Sequence, residues 1–334
     1  MICKNFPCAA ALVAAFALVG FSARPLAQTT STGSGQAYPS KPVRIVVPFA
    51  AGGGTDVQAR VLGKHLQDLT TQPFIVDNRA GASGLIGAEI VVAAPPDGYT
   101  VLMSTATLAI VPTFLGSAMK FQPIKDLAPV IQVSTTPMVL IVHPSVPARS
   151  PREFIALAKS KPGIFNAAIN VPGSTSHLSA EMLKQLTGVS FTGVPYKGGG
   201  LSMVATMGGE VDFQFAEGLL AMPQINAGKV RALAVTTPEP VAFFPKLPTM
   251  HSILPGFISD NWFGFYLPAA TPRDIVMTLN AALRKSLDTK EVRALFDRDA
   301  LVARGGTPED LAAHLKSETA RFAEIIRKGN ITLQ

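Results

Sequence analysis

From residue 41 onward, short apolar runs alternate with stretches whose apolar residues recur at helical spacing. "VRIVVPF" at 43–49 leads into a helical pattern from Thr55 to about Thr70, and "FIVDN" at 74–78 into a second from about Ser83 to Ala93. "YTVLMS" at 99–104 closes the first set. A second set follows: "MVLIVHP", a helix from Pro151, "FNAAIN", a helix from about Thr175, then "FTGVPY", "VDFQFA" and "VRALAVT". Strands separated by helices are the pattern of an α/β fold with a largely parallel sheet. Two similar layers are expected rather than one long sheet.

Three helix starts are marked by chemistry as well as by period. "SPRE" at 150–153, "TPRD" at 271–274 and "TPED" at 307–310 each place a hydroxyl for capping, proline at the first helical position and an acid at the third. The last of these helices aligns Leu311, Leu315, Phe322, Ile325 and Ile326 on one face and ends near Gly329-Asn330. Such a face is expected to pack against the rest of the protein.

Ahead of the first strand the pattern changes. "AAALVAAFALVGF" after Lys4 is apolar but short for a membrane span, and "AQTTSTGSGQ" follows. Residues 1–27 are expected to be a secretory signal peptide cut after Ala27, with Ala23 as the alternative, and 28–40 a flexible tether. Cys3 and Cys8 both precede the cut, so the mature chain holds neither thiol nor disulfide. Its stability must come from a core, and a mature chain of this length suffices for two lobes. Formal charge falls from +7 to +5 once Lys4 and Arg24 leave. With one Trp, four Tyr and no cluster of basic residues, nucleic-acid binding is disfavoured.

Candidate chemistry gathers in the loops between strands and helices: "AGGGTD" at 51–56, "NRAGASGLIG" at 78–87, "STAT" at 104–107, "VPGSTSHLS" at 171–179 and "YKGGG" at 196–200. In open α/β sheets these loops collect at the carboxyl ends of the strands, where ligands bind. Glycine lets a ligand approach the backbone, and a helix start presents unpaired amides to an anion. "GGGTD" lacks the lysine of a phosphate-binding P-loop and the spacing of G-x-G-x-x-G. Thr55 can donate through its hydroxyl and its amide, while Asp56 suits the positive end of a helix. A serine hydrolase using Ser174 or Ser176 with His177 is disfavoured, because G-x-S-x-G is absent and a base adjacent to its serine on a helix faces away. The histidines (His65, His143, His177, His251, His314) show no metal-ligand spacing. No catalytic residue, metal or cofactor is expected.

Taken together, "YPSKPVRIVVPFAAGGGTDVQAR", "NRAGASGLIGAEIV", "APPDGYTVLM", "SHLSAEMLKQLTG", "VPYKGGG", "INAGKVRALAVT" and "WFGFYLPAATP" resemble the Bug (TctC-like) family, extracytoplasmic solute receptors of tripartite tricarboxylate transporters. The resemblance implies an α/β type II periplasmic binding protein. Its two lobes, joined by crossover strands, would close on a ligand in the cleft: 41–137 as the first part of lobe 1, 138–255 as lobe 2, and 256–334 returning to lobe 1 with the C-terminal helices. It implies a monomer in the periplasm that captures a small organic carboxylate and docks transiently on membrane transporter subunits. A sensor that presents the carboxylate to a receptor kinase is the alternative. The implied ligand-binding residues are Phe49, Ala51, Gly52, Gly53, Gly54 and Thr55 on one lobe, with Ser104 and Thr105. On the other they are Gly173, Ser174, Thr175, Ser176, His177, Lys197 and Gly198. If backbone amides near Gly53 hold the carboxylate, no titrating side chain is needed, and affinity should stay flat from about pH 6 to 8. One departure stands out: where relatives read "MFDNLPSA", this chain reads "QFAEGLLA", with Ala216 at the acid's position and Glu217 next.

Overall fold

A computed structural model describes residues 38–333, so the expected leader and residues 28–37 of the expected tether lie outside the described residues. The tether was expected to run through residue 40, but residues 38–40 are fixed. The Tyr38 hydroxyl donates to the Gly98 carbonyl at 2.8 Å, its ring meets Tyr99 edge-on, and the Ser40 amide donates to the Tyr99 hydroxyl at 3.0 Å.

The first set of elements is β1 (Val43–Val47), α1 (Gly54–Thr70), β2 (Phe74–Asn78), α2 (Leu85–Val92), β3 (Thr100–Thr105), α3 (Thr107–Leu115) and the single turn α4 (Pro123–Asp126). A long strand, β4 (Leu127–Val142), carries the chain out of this set. Then come α5 (Pro151–Ser160), β5 (Asn166–Ile169), α6 (Thr175–Thr187), β6 (Thr192–Pro195), α7 (Gly199–Gly208), β7 (Phe213–Glu217), α8 (Gly218–Asn226) and β8 (Arg231–Val235). The return strand β9 (Asp260–Pro268) leads to α9 (Arg273–Leu287), α10 (Lys290–Arg298), β10 (Val302–Gly305) and α11 (Pro308–Lys328).

The outer pairs β1–β2, β1–β3, β5–β6 and β5–β7 are parallel, as crossover helices require. Every pair involving β4 or β9 is antiparallel. The two layers are therefore joined and not separate. Up to Pro137, β4 pairs with β9; from Met138 it pairs with β7 and β8 instead. One strand thus belongs to both halves, and its change of partner marks the crossover.

Both faces of β9 are covered, since Trp262, Phe263, Phe265, Tyr266 and Leu267 are all fully buried. Val43, Ile45, Leu62, Met103 and Phe265 share one core with α9, while Phe154, Phe191, Phe213 and Phe215 anchor another behind the second half of β4. The C-terminal helix packs Leu311, Leu315, Phe322 and Ile326 onto Leu102, Trp262 and Tyr266, with Ile325 half-buried beside them.

Two of the three marked helix starts form as their residues dictate. Ser150 accepts from the Glu153 amide, and Thr307 and Asp310 complete a reciprocal capping box. The third is displaced by one residue. Thr271 donates its hydroxyl to the Pro268 carbonyl at 2.7 Å, and α9 starts at Arg273 with no side-chain cap. A local turn has captured the hydroxyl that the helix would have used.

Candidate functional site

The loop after β1 is held from outside before it reaches α1. Asn78 donates to the Phe49 carbonyl at 3.0 Å, and the Gly52 amide donates to Asp56 Oδ2 at 2.9 Å. Asp56 also pairs with Arg60 at 2.9 Å. Burial pulls the Asp56 acid upward, but the bonds from Arg60, the Gly52 amide and Asn78, with the Arg60 charge, outweigh it and hold the acid below its ordinary range. Its carboxylate is consumed by the loop. The first intrahelical bond of α1 runs from the Val57 amide to the Gly53 carbonyl, so the amides of Gly54, Thr55 and Asp56 have no acceptor within the helix.

Two further helix starts face this one. Ser174 caps α6 by accepting from the His177 amide at 3.3 Å, leaving the Thr175 and Ser176 amides ahead of the ladder. Gly198, at φ +143°, turns the chain into α7, whose first bond runs from Ser202 to the Gly198 carbonyl. Thr105 and Thr107, linked hydroxyl to hydroxyl at 3.0 Å, bring the start of α3 to the same place. The walls around this cleft are Phe49, Gly53, Gly54, Thr55, Thr105, Thr107, Asn170, Val171, Ser174, Thr175, Gly198, Gly199, Glu217 and Asn261. Among the described residues these walls contain no Lys, Arg or His. Partial charges at helix ends are the positive potential here, which is how a fold binds an anion without a cationic side chain.

The two sides of the cleft touch. The Ala50 amide donates to the Lys197 carbonyl at 3.0 Å, and a methyl on Gly200 would sit 2.8 Å from the Gly52 carbonyl oxygen. The cavity between them is ≈ 20 Å³, room for about one water.

Asn170 and Asn261 line the wall with fixed orientations. Asn170 Oδ1 accepts from Ser202 at 2.7 Å, which turns its amide nitrogen toward Gly199. Asn261 Oδ1 accepts from the Trp262 amide at 3.0 Å, so its Nδ2 donates to Glu217 Oε1 at 2.9 Å. Glu217 ends β7, is 7% exposed, and reaches across to the start of α1, where a methyl on Gly54 would overlap its Oε2. Among the described residues that oxygen has no well-aligned hydrogen-bond donor, although it lies against the Gly54 backbone at the α1 start. Burial pushes the Glu217 acid up to about 7, against the opposing pull of Asn261 and the Gly54 backbone.

Of the residues singled out in the sequence, Phe49, Gly53, Gly54, Thr55, Thr105, Ser174, Thr175 and Gly198 meet on this cleft. The others do not line it. Ala51 and Gly52 are exposed, and Ser104 is buried on β3 with its neighbours. Gly173 and His177 are turned toward each other, the Gly173 amide donating to His177 Nδ1 at 3.1 Å. That ring lines a separate hollow with Glu181 and Lys184, and burial, aided by Lys184 and opposed by Glu181, lowers its pKa. Ser176 is fully buried with its hydroxyl unpartnered. The ring bonds a backbone amide and neither serine, so the hydrolase arrangement is absent from the described residues. Lys197 contributes its carbonyl, while its side chain is exposed.

Thr107, Asn170, Val171, Gly199 and Asn261 were not singled out. Thr107, Val171 and Gly199 belong to the strand-to-helix loops "STAT", "VPGSTSHLS" and "YKGGG", whose glycines and hydroxyls are the local signal for them. Asn261 had no local signal: it comes to the cleft only through the pairing of β9 with β4, opposite Thr136.

Residues 58–331 match the family described as "Tripartite tricarboxylate transporter family receptor". The chain is 34% identical to Protein BugT of Bordetella pertussis over 303 residues, 90% of this chain and 93% of that protein. Among solved structures it is similar to a R. palustris protein solved with adipate (TM-score 0.85, 33% identity, 88% of this chain and 99% of that one). It is likewise similar to MatC from Rhodopseudomonas palustris with bound malate (TM-score 0.82, 31% identity, 86% and 100%). With the match running from α1 past the end of α11, the chain belongs to the tripartite tricarboxylate transporter receptor family, the TctC and Bug-type periplasmic binding proteins.

Proposed function

We propose that this protein is a periplasmic receptor that captures a small organic carboxylate and delivers it to a tripartite-type membrane transporter. The observation that carries this reading is the convergence of the α1, α6 and α7 starts on one cleft whose walls hold no cationic side chain. Amides and hydroxyls suffice for a carboxylate, and charge-assisted bonds of this kind are the stronger ones. The adipate and malate in the two similar structures are of the same chemical class. Export with removal of residues 1–27 accords with the apolar leader and the periplasmic relatives.

Because the cavity has room for about one water, the two sides must part before a carboxylate can be admitted. Binding is then a shift of the lobes between an open and a shut arrangement. Calorimetry with malate, adipate and their neutral amides tests the reading. Each charge-assisted bond contributes about 1.5–3 kcal/mol, so an acid should bind at least roughly tenfold more tightly than its amide. Equal binding of acid and amide would remove the anion cradle as the mechanism.

A further inference from the structure

The anion cradle already has a carboxyl group against it. Glu217 comes from the side of the cleft opposite α1, and its Oε2 lies where a methyl on Gly54 would be. Its other oxygen is occupied by Asn261, whose own carbonyl is locked by the Trp262 amide, so Asn261 can only donate toward Glu217. Oε2 is buried against the Gly54 backbone with no well-aligned donor, and Glu217 is part of the cleft wall. Any carboxylate that reaches the Gly54 and Thr55 amides is placed beside it.

We propose that Glu217 couples capture of the anion to uptake of one proton: the ligand carboxylate and the Glu217 carboxyl meet at the α1 start and share a hydrogen. The inference rests on the carboxylate reading above. Two carboxylates in contact cannot both stay ionised in a buried site, because their repulsion is relieved only when one is neutral. The balance is simple: ionised Glu217, the anionic ligand and one proton from solvent give a neutral Glu217 whose O–H donates to the bound carboxylate. No bond other than that O–H is formed and nothing is oxidised.

The surroundings leave the proton to this one group. From α1 the nearest ionisable residue is Asp56, which is committed to Arg60 and Gly52. From β9 it is Asp260, which faces Arg321, Glu318, His314 and Arg304. The elements β4, β7, α7 and α8 carry no other charged residue, and the Lys197 side chain on the preceding loop is exposed. None of these charges bears on Glu217, whose acid is pushed up to about 7 by burial against Asn261 and the Gly54 backbone.

The test begins with malate and adipate, extended to a thermal-shift panel of mono- and dicarboxylates from which the bound acid is taken as probe. If no carboxylate binds, the receptor reading itself fails, a result distinct from those that follow. With the bound acid, calorimetry at pH 8 in phosphate and in Tris counts protons from the difference in apparent heat. We expect close to one proton taken up per ligand at pH 8 and almost none at pH 5.5. Affinity should weaken about tenfold from pH 6 to pH 8, as the fraction of neutral Glu217 falls. Glu217→Gln, whose amide can donate in place of the O–H, should take up no proton and lose the pH dependence, whatever its affinity at a single pH. Tight binding by the unmodified protein with no proton uptake at pH 8 would overturn the proposal without reference to any variant. So would a tenfold preference for aspartate over succinate that Glu217→Gln abolishes, since Glu217 would then be an ionised partner for an ammonium group.

Discussion

Three consecutive glycines open a helix on each side of the cleft, 52–54 running into α1 and 198–200 into α7, yet a methyl group added to them meets different neighbours. On the α1 side, Gly52 has open space and a φ of +80°, and Gly53 finds nothing nearer than 3.5 Å. Only Gly54 is crowded, by Glu217 Oε2 and by Leu219 at 2.8 Å. On the α7 side, Gly199 is pressed by Leu220 at 2.8 Å, and Gly200 by the carbonyl oxygen and carbon of Gly52 at 2.8 and 2.9 Å. One triplet is bare so that an acid can stand against a helix start; the other is bare so that two backbones can meet. Side chains can move aside more readily than backbone can, so identical letters imply unequal tolerance.

The sharpest way to separate the two sides is to remove the acid that only one of them carries. Glu217 has its folded acid raised from 4.5 to about 7, so below pH 4.5 both folded and unfolded chains hold the proton and nothing is lost. As pH rises, the unfolded chain releases its proton first. Stability therefore falls up to about pH 7 and then levels, by about 3 kcal/mol in all. Denaturant unfolding of wild type and Glu217→Gln across this range should show the variant gaining that amount relative to wild type. Parallel pH profiles would place the raised acid elsewhere.

Next in size is Gly200→Ala, which puts a methyl against backbone across the cleft. Overpacking of this kind is worth about 1–3 kcal/mol, here charged to the shut arrangement, so carboxylate affinity should fall roughly five- to 150-fold. Scattering with saturating acid should give a larger radius than wild type, while thermal stability without acid changes less. Gly54→Ala should act more weakly, about 1 kcal/mol, because its methyl displaces the end of Glu217 and not a backbone. Its diagnostic is a reduced pH dependence of binding. Gly53→Ala should be nearly silent, within about 0.5 kcal/mol, since its φ of −81° suits alanine and its contacts are ordinary. Equal losses for Gly53→Ala and Gly200→Ala would dissolve the distinction between the two triplets.

Local chemistry was readable in the sequence to the extent that it acted locally. The α1 start, the Ser150 and Thr307 caps and the short strands β2 and β5 follow from residues within a few positions of each other. The first part of β4 escaped because "LAPVIQVSTT" has a proline and no clean alternation; its pairing with β9, residues more than a hundred positions away, makes it a strand. Lys197 was named as a ligand residue, and its link to the opposite side of the cleft runs through its carbonyl, a main-chain role that its residue type does not signal. His177 was drawn toward the cleft by its neighbours in sequence, whereas helical geometry turns its ring to Gly173 and the hollow behind. Glu217 was visible as a departure in the pattern, but its meaning required Gly54 and Asn261 from two other parts of the chain. The flat pH response expected of an amide-only site and the falling affinity proposed for Glu217 are opposite outcomes of one titration.

The bond from the Ala50 amide to the Lys197 carbonyl joins the two sides through main chain alone. Such a clasp is indifferent to nineteen of the twenty residue types at position 50 and to any at position 197, because each supplies the same donor or acceptor. Pocket walls can therefore diversify toward new cargo while the gesture of shutting is inherited intact. Proline at position 50 is the lone substitution that strips out the donor, which makes that residue the point where evolution of selectivity and retention of closure part ways.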